Sequence, residues 1–196
     1  MELKLVLPVP VSINSLYINQ YRYNPRTRRR EPSGARILSK EGEKCKEEIQ
    51  RLAKEQMKDS KWDFKWTEDK NNFLYQDAVI YFSRRGRDDN NVYKLLNDSL
   101  EGISYDNDSR VLVRTQKIMF DKENPRIELT LTPVDYVGVF ESKEEALEFE
   151  ERCYDCRRYL DGRCSILTAS LSGEIKPEVS FDEDGAECQE YQQKKS

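Results

Sequence analysis

Up to Pro133 the hydrophobic pattern divides the chain into short strand-like runs separated by two longer helical ones. Glu2 to Leu7 reads as a first strand, ended by Pro8 and Pro10, and Asn14 to Tyr17 leads into an arginine-rich loop. Ala35 to Leu38 fits a short returning strand. From Ser39 the period lengthens: Cys45, Ile49, Leu52, Ala53 and Met57 predict an amphipathic helix with lysines and glutamates outside and Cys45 inward. Asp59 to Asn72 is polar and irregular, and Phe73 to Ser83 follows as a strand of β-favouring residues. Asn91 to Leu100 then predicts a short helix with Val92, Leu95, Leu96 and Leu100 on one face, closed by Gly102. Val111 to Phe120 and Arg126 to Leu131 read as two strands, expected to pair as a hairpin across Asp121 to Pro125. This order predicts a small α/β (α+β) domain, one mixed sheet packed by helices.

After Pro133 the pattern changes. Ser142 and Glu145 form a capping box ahead of a helix from Lys143 to Arg152, and a cysteine-bearing tail follows, expected to fray from Gln189 onward. The division expected is a main domain over 1–135 and an acidic helix with a cysteine module over 136–196. No internal repeat is present.

Charge sharpens that division. The net charge of −4 averages a region of 15 acidic and 8 basic residues after Asp135 with a first part carrying 22 acidic and 25 basic. Within the first part, Arg22, Arg26, Arg28, Arg29, Arg30, Arg36 and Lys40 face Glu31 alone between positions 21 and 40. Such a loop is either a solvated surface or a grip for phosphate backbones, which bind through accumulated positive charge. No apolar run approaches the roughly 18 to 20 residues that span a bilayer, and the first residues lack the features of a secretory signal. A cytoplasmic protein with no membrane partner is the expectation. Histidine is absent, so serine–histidine, cysteine–histidine and histidine-ligated zinc chemistry are excluded in their usual forms.

Between Arg84 and Val111 the chain packs Asp88, Asp89, Asp98, Asp106 and Asp108 around one helix that also carries Lys94. Crowded carboxylates repel unless cations neutralise them, so this is either a solvated acidic surface or a divalent-metal site. In phosphodiester hydrolysis such a metal polarises the phosphoryl oxygen and generates the attacking hydroxide, and Lys94 would add positive charge for the phosphate.

The order Asp88, Asn90, Asn91, Lys94, Asp98, Leu100, Gly102, then Asn107, Asp108, Ser109 and Val111, resembles the RusA family of Holliday junction resolvases. The opening LPVPVSINSLY is similar to that family's first strand and turn, so the resemblance covers about Met1 to Pro133. It implies a RusA-like fold and a magnesium- or manganese-dependent homodimeric endodeoxyribonuclease, often encoded by phages or prophages. Such an enzyme resolves four-way DNA junctions by paired nicks and so serves DNA recombination and repair. Two symmetric cuts on a two-fold substrate suit an isologous dimer. The resemblance places Asp88 and Asp108 on metal-binding positions and Lys94 on the catalytic lysine.

This chain departs from the family pattern at two positions. Asn90 stands where the family has the second aspartate of an Asp-x-Asp pair, and Asn107 where it has the first of a later pair. An amide oxygen can ligate magnesium but brings no charge, so the candidate ligands are Asp88, Asn90 and Asp108, with Asp89 or Asp106 as compensating carboxylates. Asp89 could serve only where the backbone is irregular, because neighbours in a regular strand face opposite ways.

Four of the five cysteines lie in the tail as Cys153-x2-Cys156-x7-Cys164-x23-Cys188. In a cytoplasmic chain this favours a structural zinc, with an iron–sulfur cluster or free thiols as alternatives. Two other function classes remain open: a non-catalytic protein that binds branched DNA, and a protein-interaction adaptor built on the acidic module.

Overall fold

The computed structural model describes residues 1–69, 71–183 and 185–194. In chain order its elements are β1 Leu3–Pro8, α1 Ile13–Leu16, β2 Tyr17–Asn24, β3 Arg29–Leu38, α2 Lys40–Met57, β4 Phe73–Phe82, α3 Asn90–Leu100, β5 Val111–Phe120 and β6 Arg126–Val134. The C-terminal region adds α4 Lys143–Tyr154, α5 Ser165–Leu171, β7 Val179–Asp182 and β8 Gly185–Cys188. The chain forms two compact units, Met1–Val134 and Asp135–Ser196. Among the described residues no helix is long and apolar enough to cross a membrane.

The first unit is built on a four-stranded mixed sheet in the order β1-β6-β4-β5, with β6 antiparallel to both β1 and β4, and β5 parallel to β4. Strict alternation decides which face is covered. Leu3, Leu5, Leu7, Leu74, Ala78, Ile80, Phe82, Ile127, Leu129 and Leu131 all point to one side, where Ile49 and Ala53 of α2 and Val92, Leu96 and Leu100 of α3 complete the core. Cys45 packs against that core, as its helical spacing predicts. On the opposite face the guanidinium of Arg114 lies 3.5 Å from the Tyr75 ring centroid and that of Arg126 lies 3.6 Å from Tyr81.

Two sequence expectations are corrected in this unit. Val111–Phe120 and Arg126–Val134 are strands, but they do not pair as a hairpin, because β4 lies between them. The cause is the helical crossover: α3 returns the chain so that β5 runs parallel to β4, and β6 then takes the antiparallel place on β4's other side. Periodicity reports strand existence and carries no pairing information across a third strand.

The second correction concerns the basic loop, which is largely extended and paired. Strands β2 and β3 form their own antiparallel ribbon, with only four residues between them. The ribbon is closed at its base by the Ser39 amide, which donates to the Leu16 carbonyl at 2.8 Å. Ser39 also caps α2, its hydroxyl accepting from the Gly42 amide at 3.1 Å. A side chain at Gly42 would stand 2.9 Å from Leu16 Cδ1, so glycine lets α2 begin directly against the foot of the ribbon.

The second unit has its own core of Phe140, Phe149, Cys153, Ile166, Leu167, Val179 and Ala186. Helix α4 starts as the capping box predicts, with the Glu145 amide donating to Ser142 Oγ at 3.1 Å. The expected fraying from Gln189 does not occur over the described residues. The Gln189 amide donates to the Glu178 carbonyl at 2.8 Å, Arg157 N to Gln192 O at 2.7 Å, and Lys194 N to Asp155 O at 2.8 Å. Polarity there reflects exposed side chains on a paired backbone; Lys195 and Ser196 lie outside the described residues.

Candidate active site

Helix α3 carries its apolar residues toward the sheet, which leaves Asn91, Lys94, Asp98 and, just past its end, Glu101 along one outer stripe at spacings of three and four. Lys94 Nζ donates to Asp98 Oδ1 at 2.7 Å. That bond, aided by the charges of Asp98 and Asp108 and by Tyr17, holds the Lys94 ammonium above its ordinary pKa against the cost of desolvation. Lys94, Asp98 and Asp108 therefore lie within electrostatic reach of one another, together with Tyr17 at the root of the ribbon.

Asp108 is placed from several directions. Gly102 ends α3 with a φ of 73°, a left-handed conformation that glycine adopts without penalty, and its amide donates to the Tyr105 carbonyl at 2.7 Å. The turn is then tied to the irregular segment before β4. The Trp62 indole donates to the Ser104 carbonyl at 2.7 Å, and the Asp106 amide donates to Thr67 Oγ1 at 3.0 Å. The Arg110 guanidinium donates to the Asp69 carbonyl. Tyr105 is fully buried beneath this turn, and burial, reinforced by the charges of Asp108, Glu101 and Asp98, pushes its phenol well above the ordinary value. Glu101 thus belongs to the same neighbourhood, and its Oε1 accepts from the Asp108 amide at 3.4 Å. The sequence signal for Glu101 was its place seven residues after Lys94 on the same helical stripe.

Of the other sequence-selected residues, Asp88, Asp89 and Asn90 sit at the opposite end of α3, whereas Asp106 and Asn107 directly precede Asp108. Asp88 is exposed, and its Oδ1 accepts from the Asn90 amide at 3.0 Å, which fixes the entry to the helix. Asp89 has helical backbone angles (φ −65°, ψ −35°), so the irregularity that would free its side chain is present, but its Oδ2 accepts from Thr115 of β5 at 2.5 Å. Asp106 is paired with Arg110 at 2.9 Å. Asn107 uses its amide oxygen to accept from the Ser109 amide at 2.9 Å, a bond that an aspartate could make equally well. From Asn90 to Asp98 the helix axis covers about 12 Å. The structure brings Lys94, Asp98, Glu101 and Asp108 together, and it holds Asp88 and Asn90 at the other end of α3, on either side of the Asp89 that meets Thr115 of β5. Among the described residues no group of three or more Cys, Asp or Glu is arranged to hold a metal ion.

The ribbon carries Arg22 on β2, Arg26 and Arg28 in the turn, and Arg29, Arg30 and Arg36 on β3, all exposed; Lys40 is the first residue of α2. Glu31, the lone acid, is bound by Thr27 and Asn24, whose hydrogen bonds lower its pKa. In the C-terminal unit Cys153 and Cys188 line one cavity of about 330 Å³ with Phe149, Arg152, Glu187 and Tyr191. Burial pushes the Cys153 thiol up to about 11, and the neighbouring thiols of Cys164, Cys188 and Cys156 add to the shift. The Gln192 amide donates to Cys156 Sγ at 3.4 Å.

No curated protein matches the chain. The family model of the endodeoxyribonuclease RusA matches residues 21–132, a span that contains the ribbon from Tyr21 onward, α2, α3 and every residue of the Lys94 neighbourhood except Tyr17. That match covers more than half of the chain, which therefore belongs to the RusA endodeoxyribonuclease family.

Proposed function

We propose that this protein is a divalent-metal-dependent endodeoxyribonuclease that resolves four-way DNA junctions by paired nicks, acting as a homodimer. The observation that carries the proposal is the Lys94–Asp98–Asp108 constellation, formed by a stripe of α3 and the turn after it, all inside the RusA match. An ammonium held charged beside carboxylates is suited to a phosphodiester whose charge rises in the transition state. The donors proposed for magnesium or manganese are Asp88, Asn90 and Asp108, oxygen ligands of the kind those hard cations take, but as placed here Asp108 lies at the other end of α3 from Asp88 and Asn90, and the three do not converge on one ion. Such a cation would supply Lewis-acid polarisation and a hydroxide at neutral pH. Lys94 would contact the scissile phosphate, Asp98 would orient Lys94, and the ribbon arginines would hold the flanking phosphates. The unpaired outer edge of β5, with Ile118 and Phe120 exposed, is the kind of surface a second copy would cover.

The test is cleavage of synthetic four-way junctions with magnesium or manganese by wild type, Asp88→Asn, Asp108→Asn and Asn90→Asp. Loss in the first two variants and unchanged or higher activity in the third are expected. Normal cutting by Asp108→Asn would overturn the ligand assignment. Junctions bound but left uncut by the wild type would favour a second reading, a non-catalytic junction-binding protein. The neutral Asn90 and the separation of Asp88 from Asp108 support that reading.

For the C-terminal unit we infer a structural metal, zinc before an iron–sulfur cluster, on Cys153, Cys156, Cys164 and Cys188, which as placed here do not yet converge as a metal-holding group and would have to close on the ion. The mutual influence of these thiols and the amides of Gln192 and Glu190 directed at Cys156 and Cys188 support it. Metal analysis of aerobically and anaerobically purified protein tests it; the absence of both zinc and iron would leave free thiols.

A further inference from the structure

The ribbon carries more than charge. Its register places Tyr21 opposite Pro32 and Tyr23 opposite Arg30, so these four side chains share one face, with Arg22 and Arg29 on the other. Tyr21 is 53% exposed and Tyr23 63% exposed, two tyrosines side by side with no core to fill. Among the described residues Arg22, Arg26, Arg28, Arg29 and Arg30 form no ion pair, because Glu31 is taken up by Thr27 and Asn24. The register shift between Asn19 and Tyr21, with Gly34 opposite at a φ of 79°, bends the ribbon just before this face. Its foot lies beside the site, since Tyr17 contributes to the raised pKa of Lys94 and α1 packs against α3.

Exposed aromatic rings among unpaired guanidiniums fit a ligand that offers both flat apolar faces and phosphates. Single-stranded nucleic acid offers both, whereas a duplex buries its base faces in the stack. A branched DNA exposes base faces at one place, the branch point. We propose that the β2–β3 ribbon is a base-stacking arm: Tyr21 and Tyr23 stack on bases left unpaired at the branch point while the arginines hold the adjoining phosphates. The arm would then select the branch for the site at its foot. This inference rests on the reading of the protein as a binder of branched DNA and adds the chemistry by which the branch is recognised.

The experiment uses the full chain and three probes: an oligothymidine strand, a blunt duplex of equal length, and a four-way junction with 2-aminopurine beside the branch point. Replacing both Tyr21 and Tyr23 by alanine should weaken binding to the strand and the junction at least tenfold. Duplex binding should stay within twofold, and 2-aminopurine quenching should be lost. The slope of affinity against salt should not change, because no phosphate contact is removed. Replacing both by phenylalanine should preserve binding and quenching. Both side chains are exposed, so the thermal transition should be unaltered. An alanine variant that binds all three probes like wild type, or that loses duplex and strand equally, overturns the inference. So does tighter binding to an RNA strand than to its DNA counterpart. A wild type that stacks on the branch but never cuts defeats the nuclease reading alone, and one that cuts while the alanine variant binds unchanged defeats the arm alone.

Discussion

Lys94 donates to Asp98 Oδ1 at 2.7 Å across one turn of α3, and Asp108 lies near enough to raise the same ammonium further. With its side chain 49% exposed, the pair contributes little to folding and is better read as an arrangement for charge. Lys94→Ala should lower junction cleavage by on the order of 100-fold while the Kd for the junction changes only a few-fold. Because the hydrogen bond to Asp98 raises the Lys94 pKa above 10.5, its stabilisation is full below that value and is lost as pH rises through the raised one. Asp98→Asn should therefore move the alkaline limb of the cleavage profile to lower pH, measured as rate against pH. An unmoved limb would show that Asp98 does not govern Lys94.

The turn that carries Asp108 depends on Trp62. Its indole N–H reaches the carbonyl of Ser104, a buried residue, so Trp62→Phe keeps much of the ring packing and removes the donor. The expected cost is about 1 to 3 kcal/mol, the usual range for a buried acceptor left unpaired. Thermal unfolding should show a lower Tm, and cleavage should fall further than the fraction unfolded explains. A variant with wild-type Tm and wild-type cleavage would mean that the turn does not need this bond.

Much of the first unit could be read from its sequence, because local periodicity is set by local burial. The helix of Cys45, Ile49, Leu52, Ala53 and Met57 and the strand ending at Phe82 stand where the pattern puts them. Of the ribbon only Ala35 to Leu38, the end of β3, was legible; the rest was hidden because its strands bury almost nothing, and strand signals come from burial on one face. Insertion of β4 between β5 and β6 was hidden because pairing is a long-range property. At the site, Lys94, Asp98 and Asp108 were legible as motif positions. Glu101 shared the helical stripe of Lys94 and Asp98 but stands outside the motif, and the buttress from Trp62, Thr67 and Asp69 was not legible, since that segment looks merely polar and irregular until its one donor and two acceptors meet the 104–110 turn.

Asn107 separates a structural role from a lost charge. Its amide oxygen accepts the Ser109 amide at the start of the short helical turn that follows. Asn107→Asp retains that acceptor and should leave the Tm unchanged, whereas Asn107→Ala should lose about 1 kcal/mol. If the alanine variant is as stable as wild type, the cap contributes nothing and the asparagine must be explained by the site.

The thiol of Cys153 gives a pH signature that bears on the C-terminal module. With its pKa pushed up to about 11 by burial and by Cys164, Cys188 and Cys156, against an ordinary 9.0, the folded metal-free unit binds this proton more tightly than the unfolded chain does. Stability from this group is then full below pH 9 and is lost as pH rises toward 11. A zinc-loaded module behaves otherwise, because metal-bound cysteines are already thiolates and have no proton left to lose. Thermal unfolding of purified protein between pH 9 and 11 should therefore be nearly flat for this unit, and chelator treatment should introduce a decline over the same range that Cys153→Ser reduces. A decline already present in untreated protein, and unaltered by chelator, would identify Cys153 as a free buried thiol and remove the metal from the module.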